Sequence, residues 1–262
     1  MGMKTNQCRP DGDIVLGIDI GGTGIKGAPV DIRRGQLVGE RLRIPTPKPS
    51  TPAAVADAVA EIAAAFDVAG PIGVTFPAVV RQGVIRSAAN VDRAWIGIDA
   101  AALIGARLGR PVIVLNDADA AGLAEMTFGA GRGRRGVVAM VTFGTGIGSA
   151  LFLDGRLVPN TELGHIIVSG EDGERLAAGS VKTREMLTWK QWSKRANAYF
   201  ARLESLISPD VIIIGGGLSK DYAKFIGLLR TSAEVLPAEL FNDAGIVGAA
   251  VSALDADDRA DA

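Results

Sequence analysis

Apolar and polar positions alternate along this chain in blocks that have the lengths of strands and helices. Continuous apolar runs predict strands over Ile14–Ile20, Ile25–Asp31 and 112–115. Alanine-rich stretches predict helices over 53–66 and near 99–108, because alanine is the best helix former. Strands that alternate with helices in this way are typical of an α/β protein.

The second half of the chain continues the alternation. We expect a helix over Trp189–Ile207, a buried strand over 211–214 and a small-residue helix over 244–254 that packs at a domain interface. The segment 159–182 is polar, and residues 255–262 have the composition of a solvated tail.

A glycine turn occurs twice. Gly22-Thr23-Gly24-Ile25 recurs as Gly144-Thr145-Gly146-Ile147, and each copy lies between two apolar strands. A Gly-x-Leu-Val stretch follows each copy at nearly the same offset, so the repeated unit is a hairpin. Chance recurrence in a glycine-rich chain is the alternative. The repeat predicts two related lobes, 1–115 and 116–243, with the helix at about 244–256 packing back on the first.

The composition narrows the class of protein. The 262 residues are 48% hydrophobic, which is enough for a large core, and 28 Lys and Arg against 29 Asp and Glu leave no general attraction to nucleic acid or membrane surfaces. One cysteine, Cys8, excludes an intrachain disulfide and a cysteine cluster for zinc, which fits a reducing cytoplasm. No apolar run approaches the roughly 20 residues of a membrane span.

Gly22, Gly24 and Gly27 form the pattern G-x-G-x-x-G, but its context excludes the usual interpretations. A dinucleotide site needs a helix after the glycines, and here a strand follows. A protein kinase needs a His-Arg-Asp loop, whereas the sole histidine, His165, precedes an isoleucine. The P-loop pattern is also absent from the sequence.

Two glycine turns that expose backbone N–H groups favour a phosphate held between them. Asp19 before the first turn and Lys26 after it strengthen this hypothesis, and Asp19 is the candidate for holding Mg²⁺ through water. A purely structural turn is the alternative for either copy alone. The predicted phosphate-binding set is Asp19, Gly21, Gly22, Thr23, Gly24, Lys26, Thr142, Gly144, Thr145, Gly146, Gly216 and Gly217.

Asn116 and Asp117 directly follow the strand at 112–115, where α/β proteins bind ligands. Asp117 is the candidate catalytic base that accepts a hydroxyl proton; a helix N-cap is the structural alternative for either residue, and both roles can coexist. Mixed donors and acceptors suited to the hydroxyls of a sugar are supplied by Asn90, Glu162, His165 and Glu174.

Four motifs in this order resemble the ROK sugar kinases. They are Ile18-Asp19-Ile20-Gly21-Gly22-Thr23, Asn116-Asp117-Ala118-Asp119-Ala120, Thr142-Phe143-Gly144-Thr145-Gly146-Ile147-Gly148 and Glu162-x-x-His165. The resemblance spans nearly the whole chain. Stretches at 74–77, 88–92, 116–125 and 244–250 resemble the polyphosphate-using glucokinases and glucomannokinases within that family.

The resemblance implies a two-lobed actin-like ATPase fold of the ribonuclease H-like class, with glucose in the cleft. Asp117 would deprotonate the 6-hydroxyl of the sugar, and Asn116, Glu162, His165 and Glu174 would hold it. Relatives indicate a homodimer. The donor would be polyphosphate, ATP or both, used with Mg²⁺.

Three further expectations come from comparison with the family. Glycines 215–217 would face the adenosine of a nucleotide donor. Most ROK kinases carry a cysteine-rich zinc motif after the histidine, whereas this chain and the polyphosphate-using branch lack it, so no zinc is expected. The family's repressors carry a helix-turn-helix before the kinase region, but only 13 residues precede Ile14, so DNA binding is not expected.

The identity of the donor rests on weaker sequence signals. Polyphosphate needs a basic track beyond the glycine turns, and an exposed charge cluster is also typical of an ordinary solvated surface. An ATP-only glucokinase and a catalytically silent sugar-binding protein on the same fold are the alternatives. The two candidate tracks are Arg132, Arg134 and Arg135, or Lys190, Lys194 and Arg195.

Overall fold

The computed structural model describes residues 14–88 and 91–260, with the backbone alone from residue 255 onward. Its strands are β1 Ile14–Ile20, β2 Ile25–Asp31, β3 Gln36–Leu37, β4 Leu42–Ile44, β5 Ile72–Phe76, β6 Val80–Arg81, β7 Val84–Ile85, β8 Val112–Asn116, β9 Val137–Phe143, β10 Ile147–Leu153, β11 Arg156–Val158, β12 Ile167–Val168, β13 Glu171–Asp172, β14 Val211–Gly215 and β15 Glu234–Pro237. Its α-helices are α1 Pro52–Ala64, α2 Ala100–Leu108, α3 Asp117–Phe128, α4 Gly173–Ala177, α5 Gly179–Arg184, α6 Trp189–Ile207 and α7 Ala244–Ala260.

Two sheets share one topology. The first has the order β3-β2-β1-β5-β8, with β4 also paired to β2, and the second has the order β11-β10-β9-β14-β15. In each sheet an antiparallel hairpin, β1–β2 or β9–β10, lies beside two parallel strands. The predicted duplication of a hairpin-containing α/β unit is therefore confirmed.

The two hairpin turns differ by one residue. Ile20 pairs with Ile25 across the first turn, which has four residues, whereas Phe143 pairs with Ile147 across the second, which has three. A backbone hydrogen bond closes each turn, from Gly21 N to Gly24 O at 3.1 Å and from Gly144 N to Gly146 O at 3.0 Å. The repeated tetrapeptide therefore marks equivalent positions of the two lobes.

Helix starts follow local side-chain chemistry. Thr51 caps α1 just before Pro52, whose fixed φ suits the first helical position. Thr188 and Gln191 form a capping box that starts α6, and this helix has the predicted bounds. The helix predicted over 53–66 begins one residue earlier and ends at Ala64.

Three segments have structure that the sequence pattern did not define. The polar segment 159–182 contains the strand pair β12–β13 and the helices α4 and α5. The stretch after β14 forms 3₁₀ turns and the strand β15. The backbone of α7 continues to Ala260, so most of the expected tail is helical.

Helix α7 lies across the first sheet and also packs against α3, which begins the second half of the chain. A side chain at Gly73 of β5 would collide with the carbonyl of Ala249, and one at Gly248 would collide with the carbonyl of Ala120. Glycine is therefore required where the α7 backbone meets β5 and α3. The domain boundary between residues 115 and 116 stays a prediction.

Each lobe has its own buried core. In the first lobe the fully buried rings of Phe76 and Trp95 are tilted against each other, with centroids 4.6 Å apart. In the second lobe Phe143 packs edge to face against Trp192 and Phe200. Among the residues described, no helix combines the length and apolar character needed to cross a bilayer.

The substitution Gly248→Ala is expected to lower the free energy of unfolding by about 2 kcal/mol in urea titration. The added methyl would overlap the Ala120 carbonyl, so an overpacking cost at the upper end, about 3 kcal/mol, is expected, and the roughly 1 kcal/mol gained from helix propensity offsets only part of it. Gly227→Ala is the matched control because no atom lies within 4 Å of its added methyl. Equal stability of the two variants would contradict the close packing of α7.

Candidate active site

A row of polar side chains crosses three neighbouring strands of the first sheet. Asp19 on β1 is in register with Lys26 on β2 and with Thr75 on β5. The Thr75 hydroxyl donates to Asp19 Oδ1 at 2.7 Å, and Lys26 Nζ lies 3.6 Å from Asp19 Oδ2. The row therefore fixes one carboxylate and one ammonium group near the carboxyl ends of β1 and β5.

The first glycine turn is held from outside by the segment that follows β3. Thr46 Oγ1 donates to Gly21 O at 2.5 Å, and Arg43 donates to Thr23 O at 3.0 Å. The Arg43 guanidinium lies so close over Gly24 that a side chain there would collide with it. This turn thus has a fixed shape and an additional cation beside it.

The second glycine turn is held by the residues that follow β13. Glu174 Oε2 accepts from Ile147 N at 2.9 Å, and its carboxylate fills the space where a side chain at Gly146 would lie. Ser180 N donates to Gly144 O at 2.9 Å, and Ser180 Oγ donates to Thr145 O at 2.5 Å. Glu174, predicted to bind sugar, is therefore bound to the second glycine turn in this structure.

Asn116 ends β8 and is the N-cap of α3. Its Oδ1 accepts from Ala118 N at 2.8 Å and from Asp119 N at 3.1 Å, while its Nδ2 donates to Ala78 O at 3.1 Å. Asp117 is the first helical residue, and its Oδ1 accepts from Ala118 N at 2.9 Å. The cap thus leaves the Asp117 carboxylate at the mouth of the cleft.

A cavity of about 220 Å³ joins the two lobes at this point. Among the residues that line it are Asp19 and Lys26 of the first sheet, Thr142 of β9, Gly216 just after β14, and Asp117 of α3. Four of the twelve residues predicted to bind phosphate thus meet Asp117, one of the six predicted to bind sugar, in one cavity. The lining also includes the apolar residues Met140, Ala238 and Phe241.

Burial raises the pKa of Asp117 to about 6, with the nearby negative charge of Asp19 as the second cause. The Asp117 side chain is exposed to the cleft, and the residues of both lobes that line the cavity around it are what desolvate the carboxylate. A carboxyl group with this pKa is largely ionised at pH 7 and is well matched to accept a proton near neutrality.

Glu162 and His165 lie beyond Asp117, on the 3₁₀ turn after β11. Burial raises the pKa of Glu162, and its negative charge contributes to the raised pKa of Asp117, so the two carboxyls are neighbours. His165 Nδ1 lies 2.9 Å from Asp172 Oδ2, and this hydrogen bond raises the pKa of His165. Because a carboxylate only accepts, Nδ1 carries the proton and Nε2 is left for another partner.

A second cavity, of about 570 Å³, opens beside the second glycine turn. Its lining comprises Phe143, Gly144, Thr145, Gly179, Ser180, Thr183, Arg184, Gly217 and Leu218. Three residues of the predicted phosphate set are therefore here and not in the inter-lobe cavity. The first turn, 21–24, lines neither of these cavities. Asn90 lies outside the described residues.

One candidate basic track, 132–135, lies at the end of β9 away from the second glycine turn. Arg134 pairs with both carboxylate oxygens of Glu234, at 2.6 and 3.0 Å, and Arg135 donates to Asp154 O at 3.2 Å. These arginines precede β9, whereas the glycine turn follows it, so the seven-residue strand separates them by roughly 20 Å. In the other cluster, Arg195 pairs with Glu185 at 2.7 Å, next to Arg184 of the second cavity.

Comparison with known proteins places this geometry in a family. Residues 15–185 match the ROK family. This chain belongs to the ROK family. Its two lobes accordingly have the actin-like ATPase fold that the sequence resemblance implied.

Three proteins that are similar to this chain extend the comparison. The polyphosphate glucokinase of Mycobacterium tuberculosis (strain CDC 1551 / Oshkosh) is 51% identical over 240 residues, which is 91% of each chain. The inorganic polyphosphate/ATP-glucomannokinase of Arthrobacter sp. strain KM is 50% identical with a TM-score of 0.88, over 93% of this chain and 99% of that one. A ROK family glucokinase from Streptomyces griseus, in complex with glucose and AMPPNP, is 27% identical with a TM-score of 0.78, over 92% and 99%.

Several residues of this ROK site were not found from the sequence. Arg43 contacts the first glycine turn and Thr75 contacts Asp19, each from a separate strand, and Asp172 is hydrogen-bonded to the sole histidine. Asp119 and Asn160 are hydrogen-bonded to each other behind Asp117. Asp119 lies inside a quoted motif, but its partner Asn160 is 41 residues away, and no local spacing indicates that pair.

In the ligand-free protein we expect the Asp117 carboxyl to titrate with an apparent pKa of about 6, as measured by carbon-13 NMR of the side-chain carboxyls. Asp19→Asn should lower this value, because it removes the second cause of the shift, while burial keeps it above the ordinary 3.8. Titration of Asp117 near 3.8 in the unsubstituted protein would show that the cleft does not desolvate it.

Proposed function

We propose that this chain phosphorylates the 6-hydroxyl of glucose with inorganic polyphosphate as the donor. The single observation that carries the proposal is the position of Asp117, between the phosphate row Asp19–Lys26 and the polar residues Glu162 and His165. Similarity to the Mycobacterium polyphosphate glucokinase over 91% of the chain supports the same donor and acceptor.

In the proposed reaction Asp117 accepts the proton of the glucose 6-hydroxyl, and that oxygen attacks the terminal phosphorus of the donor. The new O–P bond forms as the bond from phosphorus to the rest of the polyphosphate breaks, and the donor leaves one phosphate shorter. Lys26 and the N–H groups of the two glycine turns stabilise the charge on the transferred group. Asn116, Glu162, His165 and Glu174 are the proposed sugar ligands, together with Asn90.

Mg²⁺ is part of the proposal, and the residues present fit a hydrated ion. Asp19 offers one carboxylate at the edge of the cavity, which suits an ion that keeps several waters and takes its other ligands from phosphate. Within residues 14–88 and 91–260, no cluster of three or more His, Cys, Asp and Glu is arranged to hold a metal ion. When bound, Mg²⁺ would neutralise charge on the donor phosphates.

ATP is proposed as a second donor and mannose as a second acceptor, because the Arthrobacter relative is described as a polyphosphate/ATP-glucomannokinase. Gly217 and the 570 Å³ cavity next to the second turn offer space for a nucleoside. We further propose that the chain acts in the cytoplasm as a homodimer, without nucleic-acid or membrane partners. The near-zero net charge supports the last point, and the family resemblance supports the dimer.

Replacement of Asp117 by Ala tests the catalytic proposal. We expect kcat for glucose phosphorylation to fall by roughly 10²- to 10⁴-fold, the contribution of a positioned base, while calorimetry shows glucose still bound. Near-normal turnover in the variant would contradict this role. Glucose binding by the unsubstituted protein without any product would favour a silent sugar-binding protein.

The pH dependence of the unsubstituted enzyme tests the same role. Its kcat/KM should fall as the pH drops through about 6, because Asp117 must be ionised to accept the proton.

The path of polyphosphate is tested by two arginine variants. We expect Arg184→Gln to raise the KM for polyphosphate by roughly 2- to 5-fold, the loss typical of one exposed charge contact. Arg134→Gln is the control, because Arg134 lies at the opposite end of β9 and is paired with Glu234. A larger effect of Arg134→Gln would assign the track to the other end of the second sheet.

A further inference from the structure

Asn160 joins three parts of the molecule. It follows β11 in the second lobe, and its φ of 59° lies in the left-handed region that asparagine tolerates better than most residues. Its Oδ1 accepts from Val80 N at 2.7 Å and its Nδ2 donates to Val80 O at 2.8 Å, so the amide pairs with the backbone of β6 in the first lobe. Its backbone N–H donates to Asp119 Oδ2 at 2.7 Å.

Asp119, which accepts the hydrogen bond from Asn160 N, is a buried carboxyl group with one oxygen that is unpaired within the part of the chain that the structure describes. Its side chain is 2% exposed, and its Oδ1 has no hydrogen-bond partner among the described residues. Burial of a carboxyl group with an unpaired oxygen is unfavourable, so a stabilising role alone does not account for it. Burial also raises its pKa to about 7, so the group is partly neutral near physiological pH.

In the first lobe, the segment 78–80 connects Asn160 with Asn116, a proposed sugar ligand. Asn116 Nδ2 donates to Ala78 O, two residues before the Val80 that Asn160 holds. Val79 in turn accepts from Arg86 N at 2.8 Å, and its N–H donates to Ser87 Oγ at 3.0 Å. The β6–β7 hairpin is thus fixed to Asn116, a proposed sugar ligand, and to Asn160.

The second-lobe side leads to the same site. Ser149 of β10 donates to Thr161 O and accepts from Leu163 N at 2.9 Å. Glu162 lies between these two anchored residues and is followed by His165 on the same 3₁₀ turn. The segment 160–163 is therefore fixed at one end by Asn160 and along its length by Ser149.

We propose that Asp119 and Asn160 form a latch that sets the spacing between the β6–β7 hairpin, which holds Asn116, and the segment 160–163, which carries Glu162, with Asp119 as a positioning residue. The inference rests on the proposed function, because it assigns Asn116 and Glu162 to the sugar. The latch contacts neither the row Lys26–Asp19–Thr75 nor the glycine turns. Its loss therefore affects binding of the acceptor and leaves binding of the donor unchanged.

The test variant is Asn160→Gly, which keeps the left-handed backbone accessible and removes both hydrogen bonds to Val80. Asn197→Ala is the matched control. Asn197 makes the same kind of paired contact, to Leu228 O at 3.0 Å and from Arg230 N at 2.8 Å, within the second lobe. Glucose affinity is measured by calorimetry, which does not depend on turnover, and KM values are measured for glucose and for polyphosphate.

We expect Asn160→Gly to weaken glucose binding and raise the KM for glucose by about tenfold, as for the net loss of two hydrogen bonds, with the KM for polyphosphate changed less than about twofold. Asn197→Ala should lower the melting temperature only. Asp119→Asn keeps a side-chain oxygen that can accept from Asn160 N, whereas Asp119→Ala does not. We therefore expect Asp119→Ala to weaken glucose binding more than Asp119→Asn does.

Glucose affinities within about twofold for Asn160→Gly and Asn197→Ala would overturn the latch, and so would equal effects of the two Asp119 substitutions. Glucose binding without phosphorylation by the unsubstituted protein would overturn the proposed function instead. In that case the calorimetric comparison of Asn160→Gly with Asn197→Ala still decides the latch.

Discussion

The close backbone contact between α7 and its neighbours is the constraint on which the site depends. Gly73 lets α7 lie directly on the first sheet, and Gly248 lets it touch α3 at Ala120. The residues just before Ala120 include Asp117 and Asp119, so the same contact positions the amino end of α3. The amino end of α7 lies beside Asp19, since a side chain at Gly245 would be 3.2 Å from its Oδ1.

Like charges gathered at this point account for much of the chemistry. Asp19 and Glu162 both raise the pKa of Asp117, after burial itself, so the cleft opposes ionisation of the group proposed to accept a proton. Cations reduce this repulsion, and Lys26 and the proposed Mg²⁺ lie on the donor side. A cation bound at Asp19 would lower the pKa of Asp117 toward its ordinary value, whereas the anionic phosphates of the donor would act in the opposite direction.

The features that were predictable from the sequence are those carried by short stretches. The hairpin repeat, the strand before Asn116 and the bounds of α6 each leave a local pattern, and the structure confirms them. The bond from Glu174 to Ile147 and the network of Asn160 join residues far apart in the chain, so no local pattern shows them. The arginine cluster at 132–135 shows the converse, because the sequence places these residues close to β9 but does not show which end of the strand the site occupies.

The central claim is transfer of a phosphoryl group from polyphosphate to glucose, and phosphorus-31 NMR of one reaction mixture tests it most directly. The purified protein, Mg²⁺, nucleotide-free polyphosphate and glucose are observed over time, with a second sample that lacks glucose. We predict a growing signal of glucose 6-phosphate, matched by loss of polyphosphate phosphorus, and little orthophosphate in either sample. Orthophosphate release at the same rate in both samples, or glucose 6-phosphate only after ATP is added, would contradict the account.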